Sequence, residues 1–222
     1  MKDAVKIAIG TACREMDMDR LGIILKRCKP SDAEYVEALT DAFTGALDTD
    51  APLGARMLMW VKDYPGTFTP RVLAAANEAL IRELNAGHTS VAVEILGAMQ
   101  AASSKRSEHY IHQFPIESKL KEFFTSMDGR AALKTGLLKS FLADEPAERL
   151  IGFMQPSDVQ SAKTEATKTR MQVSLDNSDI EEFLKIWHES RDIQHDEVKQ
   201  MLCRAVVKSI EDGHVKWAQE MA

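Results

Sequence analysis

The sequence predicts an all-α protein: an α-solenoid, a right-handed superhelix of about six antiparallel helix pairs forming one helical-repeat domain over residues 1–222. Three observations predict it. Apolar residues recur at steps of three and four, residues that start or stop helices bound these runs, and no alternating β-branched stretch of useful length lies between turn pairs. Composition agrees, because 45% of the residues are hydrophobic while only 6% are aromatic. Ala, Leu, Glu and Lys lose little rotamer freedom in a helix.

Taken in order, helices are expected near 2–14, 17–28, 32–48, 51–63, 69–86, 88–100, 104–113, 116–127, 129–143, 145–154, 157–174, 178–189, 194–211 and 214–221. Ser31-Asp32-Ala33-Glu34 opens the third as a capping box, in which the Ser oxygen and the Glu carboxylate each satisfy a backbone N–H of the other. Ser157-Asp158-Val159-Gln160 and Ser178-Asp179-Ile180-Glu181 predict the same box twice more. The helix near 69–86 has both ends marked: Thr69 as N-cap, Pro70 at the first helical position, Leu73, Ala76, Leu80 and Leu84 along one face, and Gly87 beyond the end. Links of about two to five residues force antiparallel neighbours.

A recurrence favours stacking over a closed bundle. Gly87 and Gly213 are each followed by a His (His88, His214), by Ala five residues on (Ala92, Ala218) and by Glu seven on (Glu94, Glu220). Asp50 takes the glycine's place before Ala55. The turn residue ends one helix, and the small Ala lets the next approach closely. These segments resemble the helical-hairpin repeats of tetratricopeptide, pentatricopeptide and HEAT proteins, with GHTSVAVEILGAM and DGHVKWAQEM similar to the second helix of a pentatricopeptide unit. The resemblance implies stacked pairs and a surface for a partner, and it carries over no functional residue.

Charge and motif limit the function classes. The net charge of −6 opposes gathering a polyanion, so nucleic acid is a disfavoured partner and single-stranded RNA binding in the pentatricopeptide manner is the second reading. An unrecognised helical enzyme is the third. Residues 101–170 hold 11 basic against 9 acidic residues, whereas 1–100 hold 11 against 14 and 171–222 hold 6 against 11. Within that middle stretch SSKRSEHYIHQF gathers Lys105, Arg106, His109, Tyr110 and His112, the predicted partner-binding patch, with Lys119, Lys121, Arg130, Lys134 and Lys139 as supporting cations.

Neither a catalytic residue nor a metal site nor a cofactor is predicted. His109 and His112 share a face without a third ligand, His188 and His195 read as turn residues, and the glycines form no phosphate cradle. All three cysteines sit in helical apolar patterns; Cys203 reads as core, and Cys28 sits at a helix C-terminus whose dipole disfavours a thiolate. Trp60, Trp187 and Trp217 are expected to fill packing faces. Three scattered cysteines and the lack of a signal or a membrane-length apolar run predict a cytoplasmic protein, although delivery by a specialised secretion system would leave no such mark. Its predicted role is a non-enzymatic scaffold or adaptor for a protein partner. The apolar C-terminal segment, with Trp217 and Met221, predicts either self-association or continuation into a longer array.

Overall fold

A computed structural model describes residues 2–28, 32–61, 68–104, 116–190 and 196–221. Among these the chain is all helical, with no strand. The helices are α1 (Lys2–Glu15), α2 (Met18–Cys28), α3 (Asp32–Thr49), α4 (Ala51–Trp60), α5 (Pro70–Ala86), α6 (Thr89–Ser104), α7 (Ile116–Thr125), α8 (Met127–Leu142), α9 (Glu148–Ile151), α10 (Pro156–Asp176), α11 (Ile180–Glu189), α12 (Asp196–Glu211) and α13 (Val215–Met221). Where one domain over 1–222 is expected from sequence, the contacts cluster into two compact units, Met1–Gly136 and Leu137–Ala222.

One kind of corner recurs. Gly87, at φ 93°, donates its N–H to the Leu84 carbonyl, and His88 donates to the Glu83 carbonyl at 2.9 Å, which closes α5 before the His88 carbonyl accepts the first bond of α6. Gly213, at φ 79°, does the same with Ile210, and His214 with Ser209. Two further corners use residues without glycine's freedom. Met16 (φ 54°) and Asp17 bond back to Cys13 and Ala12, and Ser178 (φ 61°) and Asp179 bond back to Leu175 and Ser174. Asp144, at φ 55°, precedes Glu145, whose N–H reaches the Ser140 carbonyl.

At two of these corners the residue after the left-handed position caps the next helix. Asp17 accepts from the Arg20 N–H at 2.8 Å, and Asp179 from the Glu182 N–H at 3.0 Å. Asp50, alone between α3 and α4, accepts from the Leu53 N–H at 3.0 Å. Each such cap contributes about 1 kcal/mol.

Two capping expectations are corrected. Ser178 closes α10 instead of opening α11, so the cap moves one residue along to Asp179, because Ser178 takes a left-handed conformation and turns its N–H back onto the Leu175 carbonyl. Ser157 lies inside α10, which begins at Pro156 after Gln155 and has no side-chain cap; proline brings no N–H to the first position, so one donor fewer needs an acceptor there. Ser31 and the helix expected at 104–113 fall largely outside the described residues. The helix near 145–154 shrinks to the single turn of α9, which starts from Ala147 without a capping side chain.

In unit 1, α1 packs on α2 and α3, α3 on α4 and α5, and α4 and α5 each on α6. First helices therefore meet first helices, and α4 meets α6. The stacked helices α3 and α5 run in the same direction, because Thr40 pairs with Thr69, Asp41 with Arg71 and Asp48 with Arg82. The small residues foreseen in the second helices, Ala55 and Ala92, are fully buried, as Ala218 nearly is in unit 2. Gly54 permits a close approach of α4 to α3: a Cβ there would lie 2.9 Å from the Leu47 Cα. Phe43, Leu47, Leu58, Leu73, Leu80, Leu84, Ile95 and Leu96 form the interior. Unit 2 has its own core of Met171, Leu175, Ile180, Phe183, Leu184, Ile186, Val198 and Ala205, with the half-buried Trp187 against it.

The corners give opposite expectations for two substitutions. Gly87→Ala should cost about 1–2 kcal/mol, because an L side chain is then forced to a positive φ. Ser178→Gly relieves that same strain and should raise stability by up to about 1 kcal/mol. Urea midpoints at unchanged slope read both, and a destabilised Ser178→Gly would contradict the left-handed assignment.

Candidate interaction surface

The patch singled out from sequence, Lys105, Arg106, His109, Tyr110 and His112, lies outside the described residues, between the end of α6 at Ser104 and the start of α7 at Ile116. His195 also lies outside them. Of the supporting cations, Lys119 and Lys121 stand on α7 and Arg130, Lys134 and Lys139 on α8. The Lys119 ammonium is bound to Glu122 at 2.7 Å within its own helix, which reduces the charge it offers outward.

Elsewhere in unit 1, cations are used between helices. Lys6 on α1 meets Glu37 on α3 at 2.7 Å, and that hydrogen bond holds the Lys6 pKa above its ordinary value. Arg71 on α5 meets Asp41 at 3.2 Å. These pairs are open to solvent, so each adds little to stability and chiefly sets register.

A polar cluster surrounds Glu83, whose side chain is only 10% exposed. Its carboxylate accepts from Arg82 Nε at 3.1 Å and pairs with His88 Nδ1 at 2.8 Å across the Gly87 turn. Arg82 then donates through Nη2 to the Leu47 carbonyl at 2.6 Å, near the C-terminus of α3. A cation there meets the negative end of the helix dipole and satisfies a carbonyl of its last turn. Unit 2 repeats the contact: Lys208 of α12 donates to the Leu175 carbonyl near the end of α10 at 2.5 Å. Arg82 and Lys208 each stand six residues before the histidine of their corner, His88 or His214. That equal spacing was readable in the sequence, yet only the structure shows what the two cations reach.

The cysteines differ from expectation in part. Cys13 is fully buried, and desolvation pushes its thiol up to about 11. Cys203 is exposed, a correction to its reading as core. The inward line of α12 runs through Val198, Ala205 and Ser209, which turns Cys203 to the far side. Trp60 is half-buried, and the Cys28 and Trp217 side chains are not among those described. No group of three or more His, Cys, Asp or Glu among the described residues is placed to hold a metal ion, and no described helix is long and apolar enough to cross a membrane.

No family model, no curated protein and no solved structure matches the chain.

Two measurements follow from this geometry. Arg82→Met should destabilise the protein by about 1–2 kcal/mol, since it leaves the α3 terminus without its donor and Glu83 with His88 alone; an unchanged denaturation midpoint would show that the contact is immaterial. Under native conditions at pH 8, peptide mapping after maleimide treatment should find Cys203 modified and Cys13 protected. Because burial raises the Cys13 pKa, the unfolded chain ionises this thiol first: its effect on stability is nil below pH 9.0 and grows unfavourable as pH rises from there towards about 11.

Proposed function

We propose that the helix pairs stack as a solenoid and that the protein is a non-enzymatic scaffold or adaptor, binding a protein partner on the stacked surface. The observation that carries this reading is the contact order of unit 1, in which α1, α3 and α5 succeed one another while α4 stacks on α6. Elements that each contact only the pair before and after extend a surface instead of wrapping it around an interior cleft. Cations at matched positions, Arg82 and Lys208, support a shared stacking rule in both units.

We place the partner contact at Lys105, Arg106, His109, Tyr110 and His112, against an acidic protein surface. Lys6, Arg71, Arg82 and Lys119 are engaged by carboxylates, which supports assigning recognition to the net-positive stretch that begins after α6. The free thiols of Cys13 and Cys203 fit a cytoplasmic setting.

Affinity capture followed by binding measurements with the purified partner tests the proposal. Lys105→Glu combined with Arg106→Glu should weaken that complex at least tenfold and lower its salt dependence, with the circular dichroism spectrum unchanged. Arg71→Glu, within an existing ion-pair line, should leave it within about twofold. If the charge-reversed chain binds as the parent does, the patch is misassigned. If the parent instead binds mixed-sequence RNA with steep salt dependence, the protein reading gives way to nucleic-acid binding.

A further inference from the structure

We propose that the outward face of α12 is a self-association surface, covered in solution by α12 of a second copy lying antiparallel across a two-fold axis. This deepens the stacking part of the proposed function and rests on it for the expectation that a first helix is covered on both sides.

The corners supply a common ruler. The residue three positions before the turn residue is Cys13 before Met16, Leu47 before Asp50, Leu84 before Gly87, Phe141 before Asp144, Leu175 before Ser178 and Ile210 before Gly213. All six are apolar. Cys13, Leu47, Leu84 and Leu175 are buried and Phe141 is half-buried, but Ile210 is 57% exposed.

On the same ruler, Cys203, Val207 and Ile210 of α12 correspond to Thr40, Thr44 and Leu47 of α3. That is the side of α3 on which α5 lies: Thr40 bonds Thr69, and the Leu47 carbonyl receives Arg82. The α10 side of α12 is taken, through Lys208. The opposite stripe carries Cys203, Val207 at 55% exposure and Ile210, all exposed. The helix therefore packs on α10, α11 and α13 and still leaves this stripe exposed.

Charge points to the occupant. Arg204 stands before Val207 and Glu211 after it, both exposed. When two such helices cross antiparallel with Val207 near the axis, Arg204 of each copy falls beside Glu211 of the other, and the helix dipoles oppose favourably. Parallel or head-to-tail placement does not pair these charges twice. A self-complementary patch of this kind closes at two copies.

Sedimentation velocity on the full chain over a dilution series reads the outcome. The expected result is a reversible monomer–dimer equilibrium with no larger species. Val207→Asp should raise the dissociation constant at least tenfold with an unchanged circular dichroism spectrum, since the side chain is exposed. Arg204→Glu and Glu211→Arg should each weaken the dimer, while the double exchange, or a mixture of the two single variants, should restore it. A merely destabilised chain would not recover in that way. In a Cys203→Ser background, Val207→Cys should form an intermolecular disulfide on mild oxidation. A chain that stays monomeric at every concentration, oligomers growing beyond two, or no recovery on charge exchange would each overturn the inference. A monomer that still binds its protein partner would overturn it and leave the scaffold reading in place.

Discussion

The structure depends on a backbone constraint at its corners. Whereas Asp50 reverses the chain between α3 and α4 at φ −146°, at four corners a helix ends through a residue in the left-handed region, whose own N–H and the one after it turn back onto the last free carbonyls. Met16, Gly87, Ser178 and Gly213 all do this, and the residue after each begins the following helix. Because the reversal is tight, the two helices of a pair lie against each other from their first turns. Small residues such as Gly54, Ala55 and Ala92 are then required where they meet.

Stacking of one pair on another uses different physics. Apolar burial supplies the driving force, but it is non-directional and tolerates sliding. Register comes from polar contacts whose partners cannot be exchanged: Thr40 with Thr69, Arg82 with the Leu47 carbonyl, and Lys208 with the Leu175 carbonyl. Placing a cation of one helix on the C-terminal carbonyls of its neighbour aligns their ends, and so aligns the corners. Glu83, nearly buried between Arg82 and His88, ties that alignment to the turn itself.

Much of the architecture was legible in the residues. Thr69, Pro70 and Gly87 delimit α5 as expected, because their preferences arise within one or two residues of the chain. The predicted left-handed turn at Gly213 also stands. Met16, Asp144 and Ser178 were not legible as left-handed residues, since their types do not demand positive φ and only the packing of flanking helices imposes it. Ser178-Asp179 shows the consequence: two residues of similar capping strength stand side by side, and the left-handed requirement of the preceding helix decides between them. The patch at 105–112 was legible as composition alone, because electrostatic patterning in a sequence does not say what a side chain touches.

What the sequence determined by itself is the helical class, the positions of most helices and the glycine corners, all of which follow from interactions spanning four residues or fewer. Only the tertiary structure decided which side of α12 is covered, that Cys203 is exposed while Cys13 is buried, and that Arg82 and Lys208 serve as donors to neighbouring helix ends. The reason is one of range. Local propensity fixes where a helix starts and stops, whereas burial and long hydrogen bonds depend on residues more than 30 positions away, which periodicity alone does not bring together.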